Sequence, residues 1–377
     1  MSLKIIKLVA PLLLFSTLNG AGQSLSNPAD TTKMGDAEIL NKITLKSPLA
    51  SAPVFCNNDI YAAEKSGIVT CFDSAAVLQW KVNLGILITT QPFICDDVVV
   101  LGTVAGDIII LKRKTGEQIQ SMGLDKAVTT SISSFDYNGN IELAMPKSNG
   151  SKSAILFGTE DGKIHCYDLE TLQEYWTNSD SKGTVRERPV IVENKILFSS
   201  SDGYIYCIGS DNGLLIWRWK ETAQSSFFDS NIITDGKTVF AVSNDKSLFA
   251  IDLLLGKLVW KSKNIPMIPV IGLSRDKKDL FAETGDRRVL VMSASLGKIL
   301  RTVKVDLPFD TTGVPVIERE EKLYFTRGGT IYSIDNKSVV EPVISSGGGP
   351  INLILQTGEK RFLFSDITGT IIIFKLR

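Results

Sequence analysis

The feature that most constrains this chain is an internal repeat. One copy runs from Arg188 to Lys220, RPVIVENKILFSSSDGYIYCIGSDNGLLIWRWK. It holds an apolar segment after a proline, a second ending in serine, an Asp-Gly turn, an alternating third segment, another glycine-bearing turn and a fourth segment containing tryptophan. Short β-branched runs separated by turn residues are strands joined as hairpins, so each copy reads as a four-stranded antiparallel meander. The central turn recurs at Ser66-Gly67, Ala105-Gly106, Asp161-Gly162, Asp202-Gly203, Asn244-Asp245-Lys246, Gly285-Asp286, Gly328-Gly329 and Thr368-Gly369. A period of about 40–50 residues with four strands per copy is the signature of propeller blades. The predicted fold is therefore all-β, an eight-bladed β-propeller of four-stranded antiparallel blades spanning residues 36–377.

The eighth copy stops after its third strand, at Thr370–Arg377, while a surplus strand, Glu38–Lys46, precedes the first copy. Pairing the two closes the ring and removes two exposed sheet edges. Ahead of that strand, Lys4 and Lys7 precede the apolar run Leu8–Leu18, and Gly20-Ala21-Gly22 supplies small residues. This pattern reads as a signal peptide over residues 1–22, followed by a polar leader over 23–35. The run is too short to span a bilayer, which takes about 20 residues. No cysteine follows it between Asn19 and Gln23, so no lipid anchor is expected. The implied location is the periplasm or envelope, or the exterior.

Lys plus Arg and Asp plus Glu both number 41, which argues against nucleic acid, whose binders carry a clustered basic excess. A single histidine, His165, removes most metal and Ser-His or Cys-His chemistry. His165 lies in Lys163–Tyr167 opposite in parity to Ile164 and Cys166 and reads as a partly exposed strand residue. Asp136, Asn138 and Asn140 have the i, i+2, i+4 spacing of a calcium loop, but the glycine and distal acid are out of register, and an Asn-Gly hairpin turn is preferred. Cys71, Cys166 and Cys207 share a column with Ile110, Ala250, Val291, Ser333 and Ile373, which makes it a packing position. Cys56 and Cys95 form a second column, and five cysteines leave at least one thiol unpaired. No metal and no cofactor is expected.

The third turn and fourth strand carry a further pattern. Ala250-Ile-Asp252 through Gly256 to Trp260 resembles the tryptophan-docking motif A-x-D-x-x-T-G-x-x-x-W of PQQ-repeat propellers. Cys166-Tyr-Asp168 to Trp176 and Cys207 through Gly213 to Trp217 match the same frame, and Cys71-Phe-Asp73 to Trp80 fits with one residue deleted. Gln120 and Arg301 stand in the tryptophan's place in the second and sixth copies. The resemblance implies that Trp80, Trp176, Trp217 and Trp260 dock neighbouring blades, each indole N–H on a backbone carbonyl beside a glycine of positive φ. One branch of this family comprises quinone-dependent dehydrogenases. The other is a non-catalytic periplasmic scaffold typified by the B subunit of the outer-membrane β-barrel assembly machinery. The isolated cysteines, near-minimal blades and N-terminal closing strand are similar to the scaffold branch.

Thr184–Pro189 is similar to the loop by which that scaffold engages its partner, which carries Val185 and Arg186 over as contact residues. Among loops leading into innermost strands, Arg188, Phe227, Phe228 and Phe309 add the aromatic and guanidinium groups enriched in binding hot spots. The expected function is an exported, monomeric, non-catalytic scaffold for a protein partner in the cell envelope, BamB-like in outer-membrane protein assembly. The alternatives are a quinone-dependent or carbohydrate-active enzyme and a secreted ligand-binding or adhesion module.

Overall fold

The computed structural model describes residues 37–137, 152–221, 231–244, 247–263, 265, 270–307 and 314–376. The first strand, β1 (Ala37–Thr44), precedes the blades. Blade 1 comprises β2 (Val54–Cys56), β3 (Asp59–Ala63), β4 (Ile68–Asp73) and β5 (Leu78–Asn83), and blade 2 comprises β6 (Phe93–Cys95), β7 (Val98–Gly102), β8 (Asp107–Lys112) and β9 (Gln118–Gly123). Blade 3 is built from β10 (Ser133–Tyr137), β11 (Lys152–Gly158), β12 (Ile164–Asp168) and β13 (Glu174–Asn178), blade 4 from β14 (Val190–Val192), β15 (Lys195–Ser199), β16 (Ile205–Gly209) and β17 (Leu215–Trp219). In blade 5 stand β18 (Ile233–Thr234), β19 (Thr238–Ser243), β20 (Ser247–Asp252) and β21 (Leu258–Ser262), in blade 6 β22 (Ile271–Leu273), β23 (Asp279–Thr284), β24 (Arg288–Ser293) and β25 (Ile299–Lys304). Blade 7 holds β26 (Ile317–Arg319), β27 (Lys322–Arg327), β28 (Thr330–Ile334) and β29 (Val340–Ser345), and the last three strands are β30 (Ile351–Gln356), β31 (Arg361–Asp366) and β32 (Thr370–Leu376). Among the described residues there is no helix.

Each blade is an antiparallel meander, and the eighth sheet has the order β1-β32-β31-β30. The N-terminal strand thus supplies the outermost strand of the last blade, running antiparallel from Ala37 against Leu376 to Thr44 against Thr370. The strand ends two residues before the expected Lys46, because Leu45 N–H turns to bond Gly369 O at 2.9 Å. The ring closes through non-local pairing, as the surplus strand predicted.

The two middle strands of each blade are buried on both faces, as the run of buried residues through β3, β7, β15 and β16 shows. A blade lies between two neighbours, so both of its faces meet apolar surface, and alternation survives only toward the rim. This corrects the reading of His165. It lies in β12, where every residue is buried, so strand parity did not bring it to solvent. Its Nε2 stands 3.1 Å from Thr159 Oγ1 and its Nδ1 3.0 Å from Thr177 Oγ1. The ring stacks on Phe157, 5.4 Å between centroids. Burial holds the imidazole below its ordinary pKa, favouring the neutral form that these two hydroxyls satisfy.

Every outer strand pair carries a register shift, and in most blades it falls immediately beside the tryptophan column, as between Cys71/Phe72, Cys166/Tyr167, Cys207/Ile208 and Ala250/Ile251. A bulge inserts one residue and re-aims the side chain next to it. Here it presents the column residue toward the next blade.

Candidate functional site

The docking column can be built from its hydrogen bonds. Trp80 Nε1 donates to Arg113 O of blade 2 at 2.7 Å, and Trp176 Nε1 to Ser210 O of blade 4 at 3.1 Å. Trp217 reaches Leu253 O and Trp260 reaches Ala294 O, both at 2.9 Å, in blades 5 and 6. The opposing turn residue is glycine in all four cases, Gly116, Gly213, Gly256 and Gly297, with φ from +63 to +70. A Cβ on Gly213 would lie 2.4 Å from Trp176 Cε3, and one on Gly116 2.5 Å from Trp80 Cε3. The indole lies flat on a bare backbone.

Where the docking residue is not tryptophan, the turn residue changes with it. Arg301 of blade 6 bonds the Asp335 carbonyl and places Nε 3.2 Å from Ser338 Oγ, and Ser338 occupies the left-handed position at φ +67. At the seam between blades 8 and 1 the column position is Asn41 of β1, opposite Ile373, and Ser74 O is bonded instead by Arg361 from β31, beside Ala76 at φ +65. Opposite Gln120 the left-handed residue is Leu172, φ +54. The motif's aspartate caps the same turn. Asp168 Oδ1 accepts the amides of Glu170 and Thr171, and Asp252 Oδ1 those of Leu254 and Leu255.

The ends of the blades differ in character. Loops leading into innermost strands and the turns between each blade's second and third strands share one face, since neighbouring strands run antiparallel. On that face, at the inner strands of blades 2 to 5, lies a cavity of about 440 Å³. Phe93 of β6 and Ser133 of β10 form one wall, Arg188, Pro189 and Ile191 another, and Asn231 and Ile232 a third. Arg188 Nε donates to Ser133 Oγ at 3.0 Å, its terminal nitrogen to Ile132 O at 2.5 Å, and its guanidinium lies 5.9 Å from the Phe93 ring centre. Arg188 is exposed as a residue, and the protein packed about its guanidinium lowers its pKa by desolvation, though arginine keeps its charge throughout the accessible range. Among the described residues Asn231 Oδ1 is enclosed with no hydrogen-bond partner.

Arg186 is exposed on the same loop, next to the cavity-lining Glu187. Val185 is not available: it is fully buried in the core between blades 3 and 4, and its carbonyl accepts Thr129 Oγ1 at 2.5 Å. The reason is columnar. Val185 aligns with Leu49, Ile88 and Val128, each buried and each anchoring its loop beneath a neighbouring turn. That column was visible in the sequence and argues for packing. Arg188 also has a column equivalent, Gln91, whose Nε2 reaches back 3.4 Å to Pro53 O just as Arg188 reaches back to Ile132 O. Phe227, Phe228 and Phe309 lie outside the described residues, as do Asn138 and Asn140. Asp136 lies in β10, in register with Ser153. Asn231 is the site residue that sequence reasoning missed; no repeat or motif singles out one asparagine in a divergent loop.

All five cysteines are free. Desolvation pushes the Cys71 thiol up to about 12 and Cys207 up to about 11, and raises Cys166 likewise, so these thiols are poor nucleophiles. Among the described residues no cluster of three His, Cys, Asp or Glu side chains is placed to hold a metal ion.

Eight four-stranded blades, closed by an N-terminal outer strand and stitched by indoles lying on turn glycines, define a tryptophan-docked β-propeller of the PQQ-repeat class. The chain belongs to the PQQ_2 family, whose sequence profile, described as outer membrane protein assembly factor BamB, matches residues 32–218 and 160–363. Among individual relatives, the chain is 21% identical over 243 residues to outer membrane protein assembly factor BamB of Francisella tularensis, covering 60% of this chain and 49% of the relative. It is 21% identical over 271 residues to the protein of that name in Shewanella oneidensis, covering 68% and 64%. The matches thus span about half to two thirds of these relatives' lengths. The crystal structure of BamB from Moraxella catarrhalis superposes with a TM-score of 0.70 at 17% identity, over 90% of this chain and 98% of that one. Saccharomyces cerevisiae Sqt1 superposes at 0.73 with 11% identity, over 91% and 100%. Likeness at these identities concerns the fold.

Proposed function

We propose that this chain is an exported, non-catalytic propeller scaffold that binds a protein partner of the outer-membrane assembly apparatus through the face bearing Arg186 and the Arg188–Asn231 cavity. The observation that supports the reading most is the cavity itself. It is a concave site on one sector of the ring, lined by an aromatic ring, a guanidinium and an amide. Groups of this kind anchor protein interfaces. Membership of a family described as an assembly factor supports the choice of partner class.

Crosslinking followed by pulldown from native envelopes tests the reading. Wild-type chain should recover an outer-membrane assembly subunit, and Arg186→Ala with Phe228→Ala should recover less at an unchanged melting temperature. Equal recovery by the double variant, or calcium-dependent dye reduction on adding pyrroloquinoline quinone, would overturn it.

A further inference from the structure

The outer rim of the ring is uneven. In blades 4, 5 and 6 the two residues before the docking position are both aliphatic and exposed: Leu215 and Ile216, Leu258 and Val259, Ile299 and Leu300. In blades 1, 2 and 3 one or both of that pair are polar, through Gln79, Gln118 and Glu174. The turns feeding these outer strands are uneven in the same way. Leu214, Leu254, Leu255 and Leu296 stand at their tips with 62 to 66% of their surface exposed, where blade 2 has Lys114-Thr115 and blade 7 Asn336-Lys337.

The three turns form one band. Gly256 lies on Trp217 and Gly297 on Trp260, so each turn's leucines sit beside the aliphatic pair of the preceding blade. Cationic side chains flank the band. Lys257 and Lys298 follow the turn glycines directly and are exposed. The adjoining turns are tied to the same end of the blades by Leu253 N to Lys237 O at 2.9 Å and Ala294 N to Lys278 O at 2.7 Å. They add exposed Lys237, Arg275, Lys277 and Lys278. The nearby carboxylates Asp235, Asp252 and Asp276 each accept backbone amides of their own turns.

We propose that this rim is a docking surface for an anionic lipid bilayer. Exposed leucines on the tips of successive turns suit an acyl boundary. A protein partner is matched better by a concave or flat apolar face. Lysines and an arginine ringing those tips suit anionic headgroups, as in interfacial membrane segments. Because these turns are at the opposite end of the blades from the Arg186 loop, the inference does not depend on the partner reading.

Co-sedimentation with vesicles of phosphatidylglycerol and phosphatidylethanolamine, against vesicles of phosphatidylcholine alone, tests it. Wild type and variants are purified as the same chain, so the N-terminal segment is common to all. Wild type should bind the anionic vesicles, with affinity falling as salt is raised. Leu254→Ser/Leu255→Ser/Leu296→Ser should weaken binding at least about tenfold, the order expected for withdrawing exposed leucines from an apolar phase. Lys257→Glu/Lys298→Glu should weaken it comparably, both at unchanged melting temperature. The proposal fails if wild type prefers neutral vesicles or neither, or if the triple variant binds like wild type. It fails equally if the rim instead mediates a dimer in solution that the triple variant dissolves.

Discussion

At the residue scale, the docking column reads as paired choices across a seam: indole with glycine, arginine with serine, glutamine with leucine. Gly213→Ala would press a methyl onto Trp176 and force an alanine into the left-handed region, so it should destabilise by roughly 2–4 kcal/mol. Denaturant titration checks this, and in a Trp176→Phe background the cost should fall, with a coupling of at least about 0.5 kcal/mol. His165 gives a pH signature. Its pKa is lowered on folding from 6.5, so the unfolded chain takes up the proton first. Its contribution is intact above pH 6.5 and is lost as pH falls toward the folded value. Melting temperature measured across that window should decline in wild type and decline less in His165→Gln. Cys71, Cys166 and Cys207 are buried with raised pKa values. A thiol reagent should leave them untouched in the native protein and find five groups once it is denatured without reductant.

At the scale of elements, β1 covers the whole of β32, from Ala37 opposite Leu376 to Thr44 opposite Thr370. Removing Asp36–Lys46 would bare a seven-residue, isoleucine-rich edge, the kind that templates aggregation. The truncated chain should melt at lower temperature, with loss of cooperativity and light scattering on heating; an unchanged melt would refute the closure argument. Strands and turns were legible in the sequence because most blades repeat the same physical demand, a tight turn at Gly67, Gly106, Gly162, Gly203 and Gly369 and, at four seams, an indole above a bare glycine. The site was less legible. Val185 was read from a loop resemblance although its column is apolar in blade after blade, and His165 was read from parity although both faces of its strand are covered. Asn231 sits in a stretch of sequence that no other blade repeats. Repetition reports what every blade needs, whereas function resides in what one blade does alone.

At the scale of the molecule, the seam between blades 8 and 1 is held by β1 and by Arg361 on Ser74 O. The ring has no free end from which blades could peel in turn. Indole fluorescence reports blades 1 to 6, since the five tryptophans lie in blades 1, 3, 4 and 5 and Trp80 and Trp260 dock on blades 2 and 6, whereas far-ultraviolet dichroism reports all eight. The two unfolding curves should nonetheless coincide, and separated midpoints would show that blades 7 and 8 melt independently. The paired columns bear also on how such a ring can grow or shrink. Blades 1 to 6 each carry a knob cut for the blade ahead and a socket cut for the blade behind. A unit copied from the tryptophan-and-glycine stretch, blades 4 to 5, could be inserted again beside itself with every joint matched. A copy of blade 7, whose socket is shaped for an arginine, would meet a neighbour offering the wrong knob. Gain and loss of blades is therefore confined to the arc in which successive joints are alike, and the glutamine–leucine joint on one side and the arginine–serine joint on the other mark where that arc stops.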